Sequence, residues 1–242
     1  MSCADEPHAT SNGPTEHEYP DAAALQTALC GLIGGDLAKA VERDGRASLV
    51  VSGGSTPIPL FRNLSALDLP WEKVAIVPAD ERWVPADHED SNENMIRRVL
   101  LRGNAARAAF VALKTAHESP EAAAADRSAA VAKLPRPFSV VILGMGNDGH
   151  TASLFPDTEA LQAALADDAP LCAAVRPKHA PHPRISLTLP ALLDSRRIIL
   201  HLKGEDKHRT YRKALEPGAV EAMPVRAILR QRKVPVEVFW SP

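Results

Sequence analysis

The chain has 242 residues, and its 28 lysine and arginine residues nearly balance 30 aspartate and glutamate residues, giving a formal net charge of -2. This balance gives no electrostatic reason to expect nucleic acid or an anionic membrane as a partner. The three cysteines, Cys3, Cys30 and Cys172, lie too far apart in sequence to form a metal-type pair, which is typical of a reduced cytoplasmic compartment.

The first twenty residues are polar and contain no basic-then-apolar signal pattern. We therefore predict a mobile tail over 1–20 and a single domain over 21–242. No apolar run in that domain approaches the roughly 20 residues that span a bilayer.

Short apolar runs alternate with longer amphipathic segments along the domain. In chain order the pattern predicts a helix over 22–42, a strand over 48–51, a helix from Pro57, a strand over 73–77, helices after Ser91 and Ser119, and a strand over 138–143. A helical run over 161–165, strands over 171–175, 185–189 and 197–202, a helix over 205–215 and a strand over 236–240 follow. This alternation predicts the α/β class: a single-domain three-layer sandwich, in which helices cover both faces of a mostly parallel sheet.

A glycine-rich turn, Ser52-Gly53-Gly54-Ser55-Thr56-Pro57, joins the strand over 48–51 to the next helix. Thr56 is predicted to cap that helix, with Pro57 in its first turn. The glycines leave backbone N–H groups free to face an anion. No lysine of a nucleotide-triphosphate loop follows. The turn predicts a phosphate cradle, and the alternative is an ordinary tight strand-to-helix turn.

The loop G-M-G-N-D-G-H-T at 144–151 directly follows another apolar strand. Its three glycines permit a sharp turn, and Asp148 and His150 bring proton chemistry into the same loop. Histidine has an unperturbed pKa of about 6.5, which suits a general base at neutral pH. A structural histidine is the alternative, but its position among glycines beyond a strand end favours a catalytic His150.

The same loop matches the G-x-G-x-x-G fingerprint of dinucleotide-binding folds. That fingerprint requires a following helix and a second strand that ends in an acidic residue about 20 positions further on. Here Pro156 falls within the first turns, and Asp167 and Asp168 follow a helical run instead of ending a strand. The sequence therefore does not favour a nucleotide cofactor, and we expect no cofactor.

Charged residues elsewhere are candidates for the same site. Asp80-Glu81-Arg82 follows a predicted strand, where ligands of open α/β sheets bind. Arg184 precedes the strand over 185–189, and Lys207 begins the helix over 205–215. Each alone is typical of a solvated surface charge. They are significant only if they lie with Gly53 and His150 near one edge of the same sheet.

Two other chemistries are not favoured. His179 and His182 form H-x-x-H, but Pro181 and Pro183 prevent the helical geometry of a zinc-binding pair, so we expect no metal. The chain has no G-x-S-x-G motif, so a serine hydrolase is unsupported.

Taken together, the motifs resemble the family that contains the 6-phosphogluconolactonases and the glucosamine-6-phosphate deaminases. The matching segments are V-S-G-G-S-T-P (51–57), D-E-R-W-V-P (80–85), S-N-E-N-M (91–95), L-G-M-G-N-D-G-H-T-A-S-L-F-P (143–156), R-I-S-L-T (184–188) and G-E-D-K (204–207). They occur in the family's order through most of the chain after about residue 20.

Two positions separate the branches of that family. The deaminases carry a glutamate five residues after the loop histidine, where this chain has Phe155, and a tyrosine where this chain has Arg82. Both differences favour the lactonase branch. The resemblance then implies hydrolysis of 6-phospho-D-glucono-1,5-lactone in the oxidative branch of the pentose phosphate pathway, with His150 as general base.

The resemblance also implies roles for the remaining candidates. The substrate's phosphate is expected on the Gly53-Gly54-Ser55-Thr56 turn, with Arg82, Arg184 and Lys207 as charged partners. Asp148 is expected to orient His150 or to bind sugar hydroxyls. Asp80, Gly146 and Asn147 are also expected to contact the substrate.

Other assignments stay open at this stage. The chain is expected to be a monomer or a homodimer. An amino-sugar-phosphate deaminase and a non-catalytic sugar-phosphate sensor are the alternative functions, although a sensor has no need of the intact pair Asp148 and His150.

Overall fold

A seven-stranded parallel sheet forms the centre of the computed structural model, which describes residues 13–156 and 158–242. Its strand order is β1-β10-β9-β6-β2-β3-β5. The strands are β1 (Thr15–Glu18), β2 (Ala47–Val51), β3 (Val74–Pro78), β5 (Ala109–Phe110), β6 (Val140–Leu143), β9 (Ile198–Lys203) and β10 (Val236–Ser241). The predicted mostly parallel sheet is confirmed.

Helices cover both faces of this sheet, because its strands alternate between two apolar clusters. Leu49 and Val51 belong to one cluster, whereas Val50 between them belongs to the other. The first cluster contains α1 (Ala22–Asp44), α2 (Ile58–Ser65) and α3 (Asn92–Val99). The second contains α4 (Pro120–Ala132), α5 (Ala160–Leu165), α6 (Leu189–Leu193), α7 (Glu205–Leu215) and α8 (Val225–Arg230). The predicted three-layer sandwich is therefore confirmed.

A second, antiparallel sheet was not predicted. It has the strand order β4-β8-β7, with β4 at Asp80–Arg82, β7 at Cys172–Val175 and β8 at Arg184–Leu187. The strands predicted over 171–175 and 185–189 thus exist but lie outside the main sheet. The expectation that Arg184 lies at an edge of the same sheet as Gly53 is wrong, because Arg184 pairs with Arg82 across β8 and β4.

Most of the residues predicted to begin or cap helices do so in the structure. Asp21, Ser91 and Ser119 accept hydrogen bonds from the backbone N–H groups three residues ahead, at 2.8, 3.1 and 3.3 Å. Thr56 does not cap α2: the residue before that helix is Pro57, and no side chain caps it.

The predicted tail ends earlier than residue 20. Residues 15–18 form β1, which pairs in parallel with β10, and the side chain of His17 bonds to Glu237 at 2.7 Å. The rest of that prediction, over residues 1–12, lies outside the described residues. Within the described part of the chain, no helix is long and apolar enough to cross a membrane.

Candidate active site

A cleft of about 310 Å³ opens at the carboxyl ends of β2, β6 and β9. This is the sheet edge where open α/β folds bind ligands. The glycine turn after β2 forms one wall, and the loop after β6 forms another. The smaller sheet contributes its polar side chains from β4 and β8. The residues that line the cleft include Gly53, Gly54, Ser55, Thr56, Asp80, Arg82, Asn92, Gly146, His150, Arg184, His201, Lys203 and Lys207.

His150 and Asp148 form a hydrogen-bonded pair on the loop after β6. The Nδ1 atom of His150 lies 2.6 Å from Oδ1 of Asp148, which also accepts the backbone N–H of His150 at 3.1 Å. Partial burial would raise the pKa of Asp148, but the hydrogen bond and charge of His150 outweigh it and hold that pKa below its usual range. Because Nδ1 is occupied, Nε2 is the ring nitrogen available for chemistry.

Gly146 makes room for this pair. A Cβ atom at position 146 would lie 2.1 Å from Nδ1 of His150 and 2.5 Å from Oδ1 of Asp148. The N–H of Gly146 donates to the carbonyl of His150 at 2.9 Å, and the N–H of Gly149 donates to the carbonyl of Gly146 at 3.0 Å. These two amides are therefore committed to the loop, and the contribution of Gly146 to the cleft is chiefly space.

Phe155 connects the histidine to the basic side of the cleft. Its ring packs on the His150 ring with centroids 4.2 Å apart, and the guanidinium carbon of Arg184 lies 5.1 Å from its centroid. The position that carries a glutamate in the deaminases is thus a buried apolar spacer here.

Arg82 and Arg184 line the cleft, and each has a nitrogen atom without a hydrogen-bond partner in the described ranges. The Nε atoms of Arg82 and Arg184 are buried and bond to nothing in the described ranges. Arg82 is held by the carbonyl of Asp90, to which its Nη1 donates at 2.7 Å. Arg184 is 6% exposed and lies 3.7 Å from Oδ2 of Asp80. Burial lowers the pKa of Arg184, and the charge of Asp80 offsets part of that effect.

Lys207 adds a third positive charge at the start of α7. Burial lowers the pKa of Lys207, while the charges of Asp148 and Asp206 act in the opposite direction. The charge of Asp148, which also bonds to His150, therefore acts on the pKa of Lys207. Together, Arg82, Arg184 and Lys207 form the basic wall of the cleft.

The two acidic residues of β4 have different surroundings. Asp80 lines the cleft and accepts hydrogen bonds from Ser153 and Asn92. Glu81 is fully buried and accepts the backbone N–H groups of Arg82, Asn92 and Glu93 at 2.6–2.8 Å. Burial raises the pKa of Glu81, although these amides oppose the shift. Glu81 thus holds the start of α3 and takes no part in the cleft.

The glycine turn is shaped by Asn92. A Cβ atom at position 53 would lie 1.9 Å from Oδ1 of Asn92, whose Nδ2 donates to the carbonyl of Asp80 at 2.8 Å. Gly54 has φ +89°, a conformation that favours glycine. The turn and β4 therefore approach so closely that a side chain at position 53 would displace the amide.

Most predicted site residues do line the cleft. Asn147 and Asp148 do not: Asn147 is exposed, and Asp148 lies behind the histidine that it orients. Sequence reasoning missed Asn92, His201 and Lys203. His201 lies near the end of the predicted strand over 197–202 and Lys203 directly follows it, so the position beyond a strand end that selected Asp80 also applied to them. Burial lowers the pKa of His201 to about 4, and its Nδ1 atom has no partner within 13–156 and 158–242.

Comparisons with known proteins identify the class to which this fold and cleft belong. Residues 20–240 match the family described as Glucosamine-6-phosphate isomerases/6-phosphogluconolactonase. Because this match covers more than half of the chain, the chain belongs to that family.

Similar proteins within this family include several 6-phosphogluconolactonases. The chain is 41% identical to a 6-phosphogluconolactonase of Rhizobium meliloti over 227 residues, which cover 93% of this chain and 98% of the relative. It is 49% identical to the crystal structure of a 6-phosphogluconolactonase from Shewanella baltica, with a TM-score of 0.93 and coverage of 95% and 98% of the two chains. A monomeric glucosamine-6-phosphate deaminase, at 18% identity and a TM-score of 0.76, shares the fold.

Proposed function

We propose that this chain hydrolyses 6-phospho-D-glucono-1,5-lactone to 6-phospho-D-gluconate, in the oxidative branch of the pentose phosphate pathway. The observation that carries the proposal is that a carboxylate-held imidazole, the buried Arg184 and the half-buried Arg82 border one cleft. The resemblance to lactonases at 41% and 49% identity supports the same substrate. A cleft of about 310 Å³ also falls in the size range of small-molecule sites.

His150 acts as the general base in this proposal. Its Nε2 atom removes a proton from a water molecule, whose oxygen forms a bond to the lactone carbonyl carbon. When the tetrahedral intermediate collapses, the bond from that carbon to the ring oxygen breaks. The protonated imidazole returns its proton to the departing oxygen. Asp148 stabilises the imidazolium through Nδ1, and the step needs no covalent intermediate.

The phosphate binds between the glycine turn and the basic side chains. The guanidinium groups of Arg82 and Arg184, which both line the cleft, supply N–H donors that suit phosphate oxygens. Lys207 adds a charge, and the backbone of Gly54, Ser55 and Thr56 forms the facing wall. Holding the phosphate fixes the distant carbonyl beside the water, so this binding energy lowers the barrier by orientation.

Asp80 is proposed to accept hydrogen bonds from the sugar hydroxyls. Its carboxylate is fixed by Ser153, Asn92 and Arg184, and it lies on the cleft wall between the turn and β8. Gly146 is proposed to border the lactone ring from the loop that carries His150, whereas Asn147 is exposed outside the cleft lining and is not proposed to contact the ring.

Acid release from the lactone, recorded against its spontaneous hydrolysis, tests the function directly. We expect a large enzymatic excess, which His150→Ala abolishes through kcat with KM within a few-fold, and which Arg184→Ala weakens chiefly through KM. Near-normal turnover by His150→Ala would remove that residue as the base. A loss confined to kcat in Arg184→Ala would contradict the phosphate assignment.

The same preparation separates the alternative functions. A deaminase would release ammonia from glucosamine 6-phosphate, and we expect none because Phe155 occupies the glutamate position. A sensor would bind the sugar phosphate without accelerating acid release.

The cellular setting is part of the same proposal. Cys30 and Cys172 are free and buried, which supports the cytoplasm as the compartment. We propose a monomer or a homodimer that needs no cofactor and binds neither nucleic acid nor membrane.

A further inference from the structure

Three potential metal ligands converge at the surface beside the smaller sheet. They are His88 and Asp90, in the loop after β4, and His182, directly before β8. One ligand atom from each lies within 4.8 Å of the others. Across residues 13–156 and 158–242, this is the one group of three histidine, cysteine or acidic residues with that spacing.

From this geometry, we propose that His88, Asp90 and His182 bind a divalent transition-metal ion, with Zn²⁺ as the best-matched cation. Two imidazoles and one carboxylate form a ligand set that zinc accepts in four-coordinate sites. Nitrogen donors disfavour Mg²⁺ and Ca²⁺, which prefer oxygen ligands. This site is separate from the lactonase cleft and its existence does not depend on the proposed function.

The distances are close to those of a bound state. Oδ2 of Asp90 lies 2.9 Å from Nε2 of His182 and 3.9 Å from Nδ1 of His88. Tetrahedral zinc with bonds of about 2.0–2.1 Å places neighbouring ligand atoms about 3.4 Å apart. Each of the two observed separations therefore differs from this value by about half an ångström.

The protonation pattern also suits a metal. The backbone N–H of Asp90 donates to Nδ1 of His88 at 3.0 Å, so this nitrogen carries a lone pair. A metal ion would take that lone pair in exchange for one half-buried hydrogen bond. The side chains of the three residues are 28–45% exposed, which leaves room for a water as fourth ligand.

The sequence prediction of no metal considered His182 only with His179. The structure instead pairs His182 with a loop about 90 residues earlier, and the intervening prolines then become irrelevant to the ligand geometry. His179 is exposed on the same loop as His182 and is not part of the cluster, so it provides a matched control.

Titration calorimetry of the untagged full chain with ZnCl₂, and visible absorption with CoCl₂, test the site. We expect one specific Zn²⁺ per chain and a tetrahedral Co²⁺ spectrum. Affinity should fall by about tenfold or more in His88→Ala and His182→Ala and stay within twofold in His179→Ala. Asp90→Asn, which preserves side-chain shape, should weaken binding as well.

Circular dichroism first establishes that each variant is folded. Equal Zn²⁺ affinity in all variants, or no specific binding to the folded parent chain, would overturn the proposal. An octahedral Co²⁺ spectrum unchanged by His182→Ala would also overturn it. None of these readouts uses the lactone, so a failed lactonase assay leaves the metal test intact.

Discussion

Replacing Asp148 by asparagine isolates the contribution of its charge to His150. One oxygen of Asp148, Oδ1, forms hydrogen bonds with both Nδ1 of His150, at 2.6 Å, and the backbone N–H of His150, at 3.1 Å. Asparagine keeps the size of the side chain and one accepting oxygen, and it removes the negative charge that stabilises the imidazolium.

The expected magnitude follows from hydrogen-bond energies. A hydrogen bond to a charged group contributes about 1.5–3 kcal/mol, and a neutral one about 0.5–1.5 kcal/mol. The carboxylate is about half exposed, so the lower part of the range applies and the charge contributes about 1 kcal/mol. Asp148→Asn should therefore lower kcat about fivefold. Asp148→Ala removes the entire bond and should lower kcat by about tenfold to a hundredfold.

The assay is continuous acid release from the lactone, corrected for spontaneous hydrolysis, with KM measured alongside kcat. KM should stay within about twofold of the parent value, because the basic wall is untouched. Asp167→Asn, an equivalent change at a carboxylate that bonds to Lys233, is the control. If Asp148→Ala retains kcat within twofold, Asp148 does not support the base and the proposed pair is wrong.

Three further predictions concern the scaffold around the site. Glu81→Gln should lower the free energy of unfolding, measured by urea denaturation, by about 2–4 kcal/mol. The reason is that an amide cannot accept hydrogen bonds from all the buried N–H groups that the carboxylate accepts. An unchanged free energy of unfolding would contradict this role of Glu81. Gly53→Ala should raise KM about tenfold by displacing Asn92, and adding Asn92→Ala should restore part of the melting temperature that Gly53→Ala loses. The pKa of Asp148 lies below its ordinary value, so the unfolded chain binds its proton first and the stability from this group is present above about pH 4 and lost below. The unfolding free energies of the parent chain and Asp148→Asn should therefore differ at pH 6, and this difference should shrink as the pH falls below about 4; a constant difference would refute the shift.

Local sequence signals placed Asp148 and His150 in one loop, and the structure shows them hydrogen-bonded to each other there. Asp148 and His150 lie two residues apart in one turn, and Gly146 supplies the space that the turn requires. Both partners of their hydrogen bond lie within the loop, although Phe155 and Val225 also contact this loop from outside it.

The basic wall depended on contacts that no local pattern encodes. Arg82 and Arg184 are about a hundred residues apart and meet because β4 and β8 pair in a second sheet. The sequence predicted strands near both, but apolar runs do not specify which strand pairs with which. Both arginines were selected through the family resemblance and both line the cleft, while the expectation that they lie at an edge of the main sheet was wrong.

Asn92 and Glu81 show the same limit at single residues. In the sequence, Asn92 follows the helix-start signal at Ser91, and Glu81 belongs to a charged run after a predicted strand. Only the packing of α3 against β4 brings Asn92 against Gly53 and encloses Glu81 among the amides. Because both side chains are buried, their hydrogen bonds hold the scaffold together, and whether a side chain is buried depends on the whole fold.

The sequence by itself determined the alternation of strands and helices, the parallel sheet and the histidine loop, since periodicity and turn chemistry act over a few residues. Tertiary structure alone decided the second sheet, the cleft that brings His150 together with Arg82 and Arg184, and the convergence of His88, Asp90 and His182. The physical reason is that strand pairing and side-chain burial are set by contacts between distant segments, which only the folded chain brings together.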